Sequence, residues 1–139
     1  MTDIFFRLMR RAAWAPALVL IFHAFVIRSP YHAALDNLNH FLGGAAAAFF
    51  VLEAIRLSLP RLPSIASHLF AFGLACAAAV FWEIAEFTFD QLLGSDLQGP
   101  LEETMGDLIS GVVGAAVTLL ALMVFRKTKH DADPDVANL

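Results

Sequence analysis

Four apolar stretches, each close to the length that crosses a bilayer, take up most of this 139-residue chain. They run over residues 12–27, 38–57, 65–89 and 104–125, where a spanning helix needs about 20 mostly apolar residues. Composition agrees. Apolar residues make up 59% of the chain and charged ones 16%, against about 45–50% and 25% in soluble domains. A chain this small has too much surface to hide that much apolar material from water. A disordered chain, a basic nucleic-acid binder and a disulfide-stapled secreted domain are all excluded. The single Cys76 lies inside an apolar run and reports nothing about redox compartment. The expected fold is therefore an all-α membrane protein. Residues 1–126 form a single domain, an antiparallel bundle of four transmembrane helices, and residues 127–139 form a polar, disordered tail.

The first stretch is the weakest, being short and carrying Pro16 and His23. It follows Arg7, Arg10 and Arg11 as a signal peptide would, but no small-residue cleavage site comes after it. Ile4, Phe5, Phe6, Leu8 and Met9 among those arginines suit an amphipathic turn at the interface. The connections are Ser29-Pro30-Tyr31, a tight turn over 60–64, and the longer segment 94–100. Arg7, Arg10, Arg11, Arg56, Arg61, Arg126, Lys127 and Lys129 all fall on one side of a four-span chain, and Arg28 alone falls on the other. The excess of basic residues marks the cytoplasmic side. Both termini are thus expected in the cytoplasm of a bacterial inner-membrane, multi-pass protein.

Acidic residues inside apolar helices carry the functional signal. Asp36 and His40 open the second span, Glu83 and Glu86 close the third, and Glu103 and Asp107 open the fourth. In the four-span topology all three pairs occupy the outer turns of their helices. Residues four apart share a helical face. The Asp36–His40 face continues through Gly44 and Ala48, and the Glu103–Asp107 face through Gly111 and Ala115. Glu83 shares a face with Ala79 and Ala75. Small residues let membrane helices approach closely, so the acids point towards the bundle axis. An Asp at the centre of a spanning helix costs about 2.5–3.5 kcal/mol, and less near an interface. His23, His40 and Arg28 are too few to balance five acids, and Arg28 can reach the headgroups. Either protons or an external cation must neutralise the rest. Carboxylates with an imidazole suit iron, manganese or zinc, so one or two divalent ions on Asp36, His40, Glu83, Glu86, Glu103 and Asp107 are expected.

These segments also carry a resemblance. Asp36…His40-Phe41…Gly43-Gly44, then Trp82-Glu83…Glu86-Phe87…Asp90, then Thr104…Asp107-Leu108…Gly111…Gly114 resembles the bacterial inner-membrane family typified by YjdF. It is more distantly similar to VanZ-like small membrane proteins. The resemblance covers about residues 35–120 and implies a membrane protein of four to six helices whose activity is not established. Asn37 stands where the family commonly has Lys, and Glu103 where it commonly has Asp before Thr. The first departure removes a local counter-charge.

Simpler roles compete for several of these residues. Asp36, Asp90, Glu102 and Glu103 suit the wet headgroup layer, and a helix N-terminus favours acids there. His23 reads as a hydrogen-bonded packing residue, and His68 as interfacial. Trp14 and Trp82 read as lipid-facing or belt aromatics, and Glu53 with Arg56 as a local ion pair. No nucleophile elbow, phosphate loop or HExxH motif is present. Three functions stay open. One is a metal-binding membrane protein, including a metalloenzyme acting on a lipid-like or small periplasmic substrate. Another is a proton or ion pathway, and the third an accessory subunit of a larger membrane complex. The partners expected are the lipid bilayer and other membrane subunits or a second copy, with no nucleic acid.

Overall fold

A computed structural model describes residues 2–95 and 97–132. Among the described residues the regular structure is helical, with α1 over Thr2–Ala12, α2 over Trp14–Val26, α3 over His32–Ser58, α4 over Ser64–Leu93 and α5 over Leu101–Ala132. Three of these, α3, α4 and α5, are long and apolar enough to cross a membrane. The expected first span is instead the 13-residue α2 preceded by α1. At 1.5 Å per residue α2 is only about 20 Å long. Pro16 accounts for the break: it has no N–H to give to the carbonyl of Ala12. Ala13 between the two helices nevertheless keeps helical dihedrals, and its N–H bonds the Met9 carbonyl. The described part of α5 continues past residue 126 to Ala132, so the helix takes in the start of the expected tail. Residues 133–139 of that tail lie outside the described residues.

Short connections place consecutive long helices antiparallel, so α3 and α5 run in the same direction. α3 is central, packing on α1, α2, α4 and α5, while α4 also packs on α5. Two glycines set the α3–α5 approach. A Cβ on Gly44 would collide with the Gly111 carbonyl, and one on Gly114 with the Phe41 carbonyl. At the end away from the acids, Ala48, Leu52, Ala71, Ala75, Ala115 and Leu119 form the buried core.

The distribution of side chains is that of a protein in lipid. Ala and Gly fill the contacts, whereas the large side chains face outward: Phe81 is 70% exposed and Leu92 76%. In water such an apolar surface would aggregate. Gly94 ends α4 in the left-handed conformation, with φ of 64°, a common helix terminator. Beyond it Asp90 holds the connection to α5, accepting from Ser95 Oγ at 2.7 Å, Leu97 N at 2.9 Å and Gln98 N at 2.8 Å.

Candidate metal centre

The close α3–α5 contact and the antiparallel α4 bring five of the six expected ligands to one end of the bundle. Asp36 and His40 come from adjacent turns of α3, Glu83 and Glu86 from α4, and Asp107 from α5. His40 is the hub. Its Nε2 lies 3.5 Å from Asp36 Oδ1 and 3.9 Å from Asp107 Oδ1, and its Nδ1 lies 3.3 Å from Glu83 Oε1. One ligand atom from each of Asp36, His40 and Asp107 lies within 4.8 Å of the others, and the same holds for His40, Glu83 and Glu86. The side chains of His40, Glu83 and Asp107 are all more than nine-tenths buried.

The electrostatics are unbalanced. Among the described residues, the Arg ion pairs join Arg7 to Asp3 and Arg56 to Glu53, none of them to this cluster. Both nitrogens of one imidazole face carboxylates, yet a neutral ring can donate from only one of them. The other would turn a lone pair towards an anion. Glu83 Oε1 is buried with no hydrogen-bond partner, since its approach to His40 lacks hydrogen-bond geometry. The site thus calls for positive charge beyond a neutral histidine. A metal ion meets that need: oxygen and nitrogen donors lie 2.0–2.2 Å from zinc, so ligand atoms up to about 4.4 Å apart fit around one ion.

Glu103 is not brought into either group. It is exposed in the first turn of α5, its carboxylate lying against Gly99. That turn also carries Glu102, where the N-terminal macrodipole favours acids. His23 does pack as expected, accepting from Asn39 Nδ2 at 2.9 Å. The Glu53–Arg56 pair is present at 2.8 Å.

Other side chains depart from expectation. Trp82 is half-buried and tied to the site rather than simply facing lipid. Its Nε1 donates to Glu86 Oε1 at 2.8 Å, and its ring meets that of His23 edge-on at 4.9 Å. The four-residue spacing of Trp82 and Glu86 was the available signal. His68 is buried, only 4% exposed, and its Nδ1–H donates to the Ser64 carbonyl one turn back. Asn39 was not anticipated at all and is 4% exposed beside the site. Asn37, at the position noted for its missing charge, accepts from Ser110 Oγ at 2.9 Å and ties α3 to α5.

Comparison with known proteins agrees with the membrane reading. A Thermotoga maritima protein, described as uncharacterized, is 33% identical over 94 residues, covering 66% of this chain and 48% of the relative. The chain thus spans about half the length of the curated relative it matches. No solved structure matches it. Residues 2–128 match the family described as "Predicted membrane protein (DUF2238)", a longer stretch than the motifs of α3, α4 and α5 cover. The chain belongs to that family of membrane proteins.

Proposed function

We propose that this chain is a multi-pass protein of the bacterial inner membrane that binds one or two divalent ions, iron, manganese or zinc, near its outer face. Asp36, His40, Glu83, Glu86 and Asp107 are assigned as ligands, and Glu103 to the rim above Asp107. The observation that carries this reading is the His40 imidazole, flanked by carboxylates at both nitrogens, with no other cation paired to them among the described residues. When bound, such an ion supplies Lewis acidity and an activated water to a lipid-like or small periplasmic substrate. Four spans with both termini cytoplasmic fit the placement of basic residues. Residues 12–27, about 24 Å at 1.5 Å per residue, are assigned the first crossing, with Arg7, Arg10 and Arg11 of α1 at its cytoplasmic end.

The same imidazole favours one competing reading, an imidazolium with protons shared among the acids, as in a proton pathway. Elemental analysis of the protein purified in mild detergent separates the two. Stoichiometric metal that is lost in Glu83→Gln and Asp107→Asn supports the ion site. A folded, metal-free parent that takes up none of the three metals on addition overturns it in favour of shared protons.

A further inference from the structure

A cavity of about 210 Å³ lies between α2 and α4, over the small-residue face of α3. The two flanking helices have no Cα atoms within 8 Å of each other among the described residues. The gap between them is closed at the acidic end by the His23–Trp82 ring contact. Leu20, Gly43, Ala47, Ala78 and Ala79 line its apolar length, while His23, Asn39 and His40 lie together at one end. Leu20 and Ala78 are at exposed positions, so the cavity is open sideways, towards lipid.

Asn39 supplies a second, independent observation. It is 4% exposed, and its Oδ1 is buried with no hydrogen-bond partner, although Nδ2 is bonded to His23. A buried amide oxygen left without a donor is costly. If the amide is turned over, its NH₂ becomes the unpaired end, so one polar end lacks a partner in either orientation. A bound water would answer Asn39 but not the apolar length, since apolar cavities stay dry and take up hydrocarbon.

We propose that this cavity binds the end of a single hydrocarbon chain carrying an uncharged hydroxyl, with the hydroxyl on the Asn39 amide and the chain between α2 and α4. A hydroxyl both donates and accepts, so it pairs with either end of the amide. A carboxylate or phosphate head is disfavoured by Asp36, Glu83 and Asp107, which surround the neighbouring His40. Cavities of about 150 Å³ hold benzene, so this one accommodates several carbons while the remainder of the chain leaves into the bilayer. The inference rests on the cavity and Asn39, and it stands whether or not a metal occupies the carboxylates.

The test uses the full chain in lipid nanodiscs with a photoreactive hexadecanol, cross-linked sites being mapped by mass spectrometry. Labelling is expected at residues 43–47 and 75–79, lost with excess hexadecanol and retained with excess hexadecane or palmitate. Gly43→Leu fills the cavity without a backbone clash, because the nearest atom to a Cβ there is Val19 Cγ1 at 4.0 Å. Gly43→Leu should abolish labelling, as should Ala78→Phe from the opposite wall. Asn39→Leu should remove the advantage of hexadecanol over hexadecane. Chelator treatment should change none of this, which separates the result from the fate of the metal site. Labelling spread over outward residues such as Phe81 and Leu92 overturns the proposal. So does stronger competition by palmitate or hexadecylamine than by hexadecanol, or an Ala78→Cys thiol that a second copy of the chain protects.

Discussion

Gly44 of α3 faces the carbonyl of Gly111 on α5 with no space between them for a methyl group. The neighbouring Gly43 differs, since a Cβ there meets only Val19 Cγ1 at 4.0 Å. Overpacking a tight contact costs about 1–3 kcal/mol, whereas Ala for Gly in a helix interior gains about 0.5–1 kcal/mol. Gly44→Ala should therefore lower the melting temperature in detergent, and Gly43→Ala should leave it unchanged or raise it. Equal behaviour of the two would show that the α3–α5 approach is looser than the backbone implies.

The basic residues set an expectation for topology. Reporter fusions after Arg126 should report the cytoplasm, and fusions within residues 97–99 the periplasm. A fusion at Ser29 should also report the periplasm if α2 makes the first crossing. A cytoplasmic Ser29 with a periplasmic position 126 would leave three crossings, those of α3, α4 and α5.

Hydropathy made the long helices legible but shortened the second span at its start. The apolar stretch begins near residue 38, whereas α3 begins at His32, because its opening turns carry Asp36, Asn37 and Asn39. Polar residues that face the bundle lower the hydropathy of a helix without ending it. The break at Ala13 was harder to read, since Pro16 acts on a carbonyl four residues earlier. Helical spacing sufficed to place Asp36 with His40, and the Ala75–Ala79–Glu83 face to turn Glu83 inward. Spacing alone could not choose between the two readings of Glu103, because a first-turn acid in the headgroup layer and a buried ligand share the same spacing from Asp107. Asn39 escaped because its partner His23 lies 16 residues away on another helix, and one sequence does not show that pairing.

Asp90 is expected to serve the connection rather than the metal. Its carboxylate accepts from the Leu97 and Gln98 amides and the Ser95 hydroxyl. Asp90→Ala should speed hydrogen exchange at Leu97 and Gln98 while metal content stays at the parent level. Loss of metal in this variant would place Asp90 among the ligands.

The two faces of His40 set the last expectation, which concerns stoichiometry. Nε2 faces Asp36 and Asp107, and Nδ1 faces Glu83, whose helix also supplies Glu86. With two ions, one in each group, Asp36→Asn should release one and Glu86→Gln the other, while His40→Ala releases both. With a single shared ion, each substitution should empty the site. Trp82→Phe probes the arrangement more gently, removing the 2.8 Å hydrogen bond that orients Glu86 while keeping a ring beside His23. Loss of such an orienting contact weakens metal binding by about 10–100-fold, so Trp82→Phe should bind more weakly at unchanged stoichiometry. Circular dichroism in detergent checks that each variant keeps its helices. Full metal content in folded His40→Ala would show that the ions are held elsewhere.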